Sequence, residues 1–293
     1  MSFSLTILRP EASQQRTVEE TTTGLDLFGD DRTVVAMRVN GEVRDLAREL
    51  ADGDEVEPIL ISSDEGLYIV RHSAAHVAAQ ALQNLRADAL LGIGPPITDG
   101  FYYDFATEPL TPDDLKVLEK DMGRIVKERQ RFVRRVVSDE QARAELAAEP
   151  FKLELIGLKG NHGDAEGASV EVGAGDLTIY DNVRRDGSVA WKDLCRGPHV
   201  PHTGYLGNGW ALTRTSAAYW RGDQANAGLQ RVYGTAWASK DELQNYLHML
   251  EEAEKRDHRK LGRELDLFHI DEHSPGTVFW HPKGWTLWQQ VEQ

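Results

Sequence analysis

The longest regular pattern in the chain lies over residues 67–84, which are rich in alanine and carry neither glycine nor proline. His72, His76, Ala79 and Gln83 recur there at steps of four, three and four. A 3.6-residue period puts those positions on one stripe, which predicts a single helix. Further on the period shortens to two. Phe101, Tyr103 and Phe105 alternate with Tyr102 and Asp104, which predicts a strand with the first three on one face. Asp99-Gly100 just before it is a hairpin signal. A further hairpin is predicted from residues 177–183, a turn at 185–188 and a strand over 189–194. On its second strand Val189, Trp191, Asp193 and Cys195 share a side.

Upstream, short apolar runs at 4–8, 34–39 and 57–61 join an Asn40-Gly41 hairpin signal and helical text at 45–50. They describe a small mixed module with a thin core, the kind that serves as an appendage. Thr111-Pro112-Asp113-Asp114 opens a helix predicted to run to about residue 131. Residues 157–176, with six glycines, read as loop-rich. Ser239-Lys-Asp-Glu242 is a capping box opening a helix to about residue 261, along Leu243, Leu247, Leu250 and Ala253. Residues 262–293 hold Trp280, Trp285 and Trp288 and stop without a visible terminating element. Elements mixed in this order predict an α+β fold.

At 293 residues the chain has room for about two domains, and 40% hydrophobic with 28% charged residues is an ordinary globular composition. There are 33 Lys and Arg against 48 Asp and Glu, a net charge of −15. That excludes a generally basic nucleic-acid coat but not a local cationic face. Residues 1–66 hold six arginines against 15 acids, whereas residues 116–137 hold eight cations against three acids. The second segment is the candidate contact for a polyanion, although a solvated helix face is the plainer reading of any charge run. Cys195 is the only cysteine, so no intrachain disulfide is possible. A lone thiol fits a reducing cytosol. No apolar run nears the roughly 20 residues that cross a bilayer, and the first ten residues lack the features of a signal peptide. The expected location is the cytoplasm.

Two short motifs carry chemistry. His72-x-x-x-His76 on a helix sets two imidazoles over one spot. Cys195-Arg-Gly-Pro-His199, at a strand end, contains a Gly-Pro turn that could bring His199 back beside Cys195. Three imidazoles and a thiol can hold Zn²⁺ tetrahedrally. Either motif alone is common by chance and would be an ordinary polar pair. Their joint occurrence, with the only cysteine in one of them, favours a functional site. Ser73 stands where a His-Glu-x-x-His peptidase has its general-base glutamate, which argues against that class. No Gly-Lys-Ser/Thr follows Gly92 and Gly94, so there is no P-loop.

Several ordered motifs now resemble a bacterial threonyl-tRNA synthetase from start to finish. They are Ile69-Val-Arg-His-Ser-Ala-Ala-His76, Gly94-Pro-Pro-Ile-Thr-Asp-Gly-Phe-Tyr-Tyr-Asp104 and Asp193-Leu-Cys-Arg-Gly-Pro-His199. With them come Ala218-Tyr-Trp-Arg-Gly-Asp223, Arg231-Val-Tyr-Gly-Thr-Ala-Trp237 and Lys255-Arg-Asp-His-Arg-Lys260. The resemblance implies a ubiquitin-like β-grasp (TGS) module over residues 1–66 and an editing domain of the threonyl/alanyl type over 67–238. It also implies a linker helix over 239–262 and the start of a class II catalytic core over 263–293. In the family the rest of that core carries ATP binding, threonine activation and a catalytic zinc. This chain is therefore expected not to charge tRNA.

What the resemblance implies instead is proofreading. A methyl group gives only about 1–3 kcal/mol of discrimination against serine, so a second site hydrolyses seryl-tRNA(Thr). His72, His76, Cys195 and His199 look like the core of that site, with Lys152, Asp193 and Tyr103 as companions. His72 and Lys152 would meet the ribose hydroxyl and the ester and position water. Asp193 would bind the serine ammonium or orient a neighbour, and Tyr103 would line the amino-acid pocket. Tyr103 could equally be core packing, and Lys152 a surface lysine. No cofactor is expected to be required for editing, but the same four residues hold zinc in the alanine-specific domains, so zinc stays open here. The expected partner is the seryl-charged 3′ end of tRNA(Thr), met by residues 116–135 and by Arg214, Arg221 and Arg231, with no membrane. Residues 1–66 are expected to be a spacer or regulatory appendage, and the chain a monomer although the family is dimeric. A different class also stays open: a non-catalytic tRNA- or protein-binding module whose His/Cys set is a structural metal site.

Overall fold

Strands β1 (Ser2–Ile7), β2 (Gln14–Glu19), β3 (Val34–Val39), β4 (Glu42–Arg44) and β5 (Glu55–Leu60) form one sheet in the order β2-β1-β5-β3-β4. They belong to a computed structural model that describes residues 2–9, 13–159, 172, 175–274 and 276–292. Strands β1 and β5 run parallel. Asn40 and Gly41 both take positive φ and close the two-residue hairpin that their sequence predicts. A short helix, α1 (Gly24–Phe28), was not anticipated, although Thr23 and Asp26 form the capping box that signals it. The helical text at 45–50 is not a helix. The Leu46 carbonyl accepts from the Leu25 amide and the Leu50 amide donates to the Thr22 carbonyl, so α1 takes the backbone groups that a local helix would need.

The next element is α2 (Asp64–Leu85), capped by the Ser63 hydroxyl on the Gly66 amide. It is buried along nearly its whole length from Gly66 to Leu82. Val35, Ala36 and Ile59 of the first sheet share one core with Ile69, Val70 and the alanines of α2. The first sheet and α2 thus share a core, and residues 1–243 pack as one unit. Gly66 is required at the joint, because a Cβ there would lie 1.9 Å from the Leu60 carbonyl oxygen.

Around α2 stand two further sheets. One contains β6 (Leu90–Leu91), β8 (Gly100–Ala106), β12 (Trp210–Tyr219) and β13 (Gly228–Ala236) in the order β12-β13-β8-β6, with β7 (Pro96–Ile97) also on β8. The other orders β9 (Arg131–Val137), β10 (Leu177–Val183) and β11 (Val189–Leu194) as β11-β10-β9. Phe101, Tyr103 and Phe105 join the α2 core and Tyr102 joins a second one, as the alternation predicts. Helix α3 (Pro112–Glu128) stops short of residue 131 because Arg129 turns left-handed and Arg131 already pairs in β9. Two helices, α4 (Asp139–Glu145) and α5 (Pro150–Gly157), had no counterpart in the sequence reading. Most of the loop expected at 157–176 lies outside the described residues.

Helix α6 (Lys240–Lys255) starts with the Glu242 amide on the Ser239 hydroxyl. It does not reach residue 261. Asp257 leaves helical geometry, its carboxylate takes the Arg259 amide at 2.8 Å, and it caps a new helix, α7 (His258–Glu264). Residues 244–293 pack as a second unit. Within it β14 (Phe268–Ile270) pairs with β15 (Val278–Trp280), and α8 (Pro282–Val291) follows. Among the described residues no helix is long and apolar enough to cross a membrane. Gly66→Ala is expected to lower stability by about 1–3 kcal/mol, read as a fall in the denaturant midpoint.

Candidate functional site

Helix α2 presents His72 and His76 one turn apart, with Ser73 beside them. The end of β11 presents Asp193 and Cys195, and the chain then turns through Gly197-Pro198 to His199. The two motifs converge. Cys195 Sγ lies 3.2 Å from His72 Nε2 and 3.5 Å from His199 Nε2, and the Gly197 amide donates to it at 3.1 Å. The His76 ring centre is 5.1 Å from that of His72 and 4.2 Å from that of His199. One ligand atom from each of these four residues lies within 4.8 Å of all the others, so the set could hold a metal ion.

Hydrogen-bond counting fixes where the lone pairs point. The Ser73 hydroxyl donates to the Ile69 carbonyl at 2.9 Å, which leaves it two acceptor positions. The Val200 amide takes one, at 3.1 Å, and His199 Nδ1–H takes the other, at 3.0 Å. His199 Nε2 is then unprotonated and faces the sulfur. His72 bonds the backbone of Pro198, which has only a carbonyl to offer. His72 likewise turns its Nε2 to the Cys195 sulfur, at 3.2 Å. Neither ring nitrogen of His76 has a hydrogen-bond partner among the described residues. An orphaned, buried imidazole beside two more imidazole nitrogens turned to a thiol is the donor chemistry a zinc ion fits.

All four residues are buried. Burial lowers the His72 pKa from 6.5 to about 4, with the Lys152 charge adding to the shift and the Pro198 bond opposing it. Burial, together with the neighbouring cationic forms, holds His76 and His199 well below the usual histidine range. The rings are neutral at pH 7.

The three companions meet at one carboxylate. Asp193 Oδ1 lies 3.0 Å from Lys152 Nζ of α5, and Asp193 Oδ2 accepts from the Tyr103 hydroxyl of β8 at 2.6 Å. His76 Nε2 is 3.9 Å from the same Oδ2. Lys152 is fully buried, so the surface-lysine reading is wrong. Burial lifts the Asp193 pKa, against the pull of Lys152 and Tyr103. Gly94 makes room for the Tyr103 ring, since a Cβ there would overlap it at 2.2 Å.

Several residues were missed in the sequence. The Trp191 ring stands edge-on to His76 at 5.4 Å and donates to Gln83, which in turn donates to Glu149. Phe132 stacks on His199 at 4.6 Å. The alternation of Trp191, Asp193 and Cys195 signalled the first, the stripe of His72, His76 and Gln83 signalled the second, and nothing local signalled Glu149 or Phe132.

The expected polyanion contacts are mostly occupied. Lys116, Arg124 and Arg135 pair with Asp113, Asp121 and Asp181. Arg231 grips Asp104 in a two-bond fork and Arg221 pairs with Glu154, while Arg214 lies over the Tyr233 ring. Lys120, Lys127 and Arg131 stay exposed, and Lys127 lines a cavity of about 400 Å³ with Arg184 and Arg185 at the β10–β11 turn.

Residues 172–233 match the family described as the Threonyl and Alanyl tRNA synthetase second additional domain, so the part bearing β10 to β13 and the Cys195–His199 corner is of that class. Over its length the chain is similar to threonine–tRNA ligases. That of Cutibacterium acnes is 64% identical over 295 residues, which is 100% of this chain and 43% of the relative. That of Leifsonia xyli subsp. xyli is 58% identical over 99% of this chain and 43% of the relative, and that of Thermobifida fusca 62% over 93% and 42%. The chain belongs to the threonine–tRNA ligase family, and it spans about 43% of the length of these curated relatives.

Because the unfolded chain binds protons near pH 6.5 and the buried rings do not, stability must fall as pH drops from 6.5 towards 4. The expected slope in metal-free protein is up to about 1.4 kcal/mol per pH unit for each imidazole. Urea midpoints at pH 7 and pH 5 check it, and His72→Gln should flatten the slope.

Proposed function

We propose that residues 67–238 form an editing domain that hydrolyses the ester of seryl-tRNA(Thr). Residues 1–66 would be a TGS module of β-grasp type, 239–262 a link containing α6 and most of α7, and 263–293 the beginning of a catalytic domain. The observation that carries the reading is the convergence of His72, His76, Cys195 and His199 with the Lys152–Asp193–Tyr103 group in one buried cluster.

An aminoacyl ester is already reactive. Its hydrolysis needs a held water, a group that takes one proton, and positive charge for the developing oxyanion. Neutral imidazoles supply the proton acceptor, and His72 is the candidate because burial keeps its ring neutral and its Nε2 lies 3.2 Å from Cys195 Sγ. The Lys152 ammonium supplies the charge and is fixed by Asp193. With Lys152 and Tyr103 already on its oxygens, Asp193 acts by orienting its neighbours, which favours that role over binding the serine ammonium. The Tyr103 ring then stands as a rigid wall where a substrate methyl would be sensed. The exposed Lys120, Lys127, Arg131 and Arg185 are the cations proposed to meet tRNA phosphates.

A second reading has its own observation, the four donors with the orphaned His76 ring. Zinc would be held by His72, His76, Cys195 and His199 and would supply a polarised water or a purely structural tie. Dialysis against zinc followed by metal analysis should find about one ion per chain on this reading, lost in Cys195→Ala.

Purified chain incubated with seryl-tRNA(Thr) and threonyl-tRNA(Thr) should release serine only. His72→Ala and Lys152→Ala should each slow that release by about 100-fold or more. No serine release from the wild-type chain, with unfolding on chelation, would replace the enzymatic reading with the structural-metal one.

A further inference from the structure

One buried carboxylate near the site has no part in the chemistry above. Asp45 belongs to the segment after β4, in the module formed by the first 60 residues, yet both its oxygens are spent in the Cys195–His199 corner. Its Oδ1 accepts the His199 backbone N–H at 2.7 Å, and its Oδ2 accepts the Tyr180 hydroxyl at 2.7 Å. The Tyr180 ring stands edge-on to the His199 ring at 4.6 Å. Gly197, at φ +70°, lets that hydroxyl in, since a Cβ there would lie 1.9 Å from it. His199 is thus held from four sides: Ser73 at Nδ1, Phe132 on its face, Tyr180 at its edge and Asp45 on its backbone.

We propose that Asp45 is a positioning residue of the editing site, through which the N-terminal module sets the orientation of His199. The proposal rests on the editing reading for its catalytic consequence. Its structural half, that Asp45 sets the His199 geometry, stands on the hydrogen bonds alone. Without the carboxylate, the His199 amide is buried without an acceptor and the Tyr180 hydroxyl must find another. The corner can then relax, and His199 Nε2 no longer faces the sulfur in a fixed direction. Residues that orient a functional histidine from behind typically matter by 10- to 100-fold.

The test uses the full chain with Asp45→Ala, Asp45→Asn and a control. In seryl-tRNA deacylation, Asp45→Ala should lower kcat about 10- to 100-fold with KM within about twofold. Asp45→Asn keeps an acceptor for the His199 amide and should recover part of the loss. The control, Glu65→Ala, breaks the Arg38–Glu65 pair (2.5 Å) at another point of the same joint and should leave kcat unchanged. In parallel, the His199 amide and imidazole NMR signals should move in Asp45→Ala and stay put in Glu65→Ala. Should the wild-type chain not deacylate seryl-tRNA, the editing reading fails while the NMR arm still decides the role of Asp45. Unmoved His199 signals, or a kcat per folded molecule equal to wild type, would overturn the proposal. Should Asp45→Ala not fold, Tyr180→Phe replaces it. That variant removes one of the two bonds and must shift the His199 signals in the same sense as Asp45→Asn, or the idea is wrong.

Discussion

Dryness is the constraint from which the site follows. His72, His76, Cys195, His199, Lys152 and Asp193 are each at most 1% exposed. Charge survives in such a place only when matched, and here the one matched pair is Lys152 with Asp193. The imidazoles have no such match and stay neutral. A neutral imidazole has one N–H and one lone pair, and a buried N–H is stabilised by an acceptor, which His199 has and His76 lacks. For His199 that acceptor is the Ser73 hydroxyl at Nδ1, on the other ring nitrogen from Cys195. Its lone pair at Nε2 therefore turns toward the sulfur, and His72 Nε2 faces the same atom at 3.2 Å. Desolvation, rather than any attraction among the four residues, makes this a set of donors aimed at one point.

Ser73 shows how the same counting excludes chemistry. Its position between two histidines invites a nucleophilic role. Its hydroxyl, however, already serves the Ile69 carbonyl, the Val200 amide and His199 Nδ1. To attack a carbonyl it would have to release a buried amide, a cost of about 1–3 kcal/mol before any reaction. The residue is better understood as the pin that locks α2 to the Cys195–His199 corner.

Legibility in the sequence tracked the range of the interactions. The i, i+4 histidines, the period-2 strands and the Asn40-Gly41 and Asp99-Gly100 turns are set by neighbours in the chain, and they could be read directly. The cluster of Cys195 with His72 spans 123 positions and was reached only by joining two weak motifs. Lys152 was reached by resemblance, since nothing in 150–157 marks a lysine as buried. Asp45 had no signal, because its partner His199 is 154 positions away. The two misread stretches, 45–50 and 255–258, fail for one reason. In each, polar backbone groups found a partner other than the helical one, Leu25 and Thr22 at the start of α1 in the first and the Asp257 side chain in the second.

Strand β3 shows how the first sheet is joined to α2. Its residues Val34, Val35, Ala36 and Met37 are all buried, where a half-exposed strand would alternate. A bulge between Val34 and Ala36 breaks the period against β5. Val34 and Met37 then serve the sheet's own core, and Val35 and Ala36 serve the α2 core. A continuous apolar run in a small acidic module is thus a sign of a second covered face. Once that face is packed on α2, the loop after β4 is carried to the Cys195–His199 corner, and Asp45 comes within reach of the His199 amide.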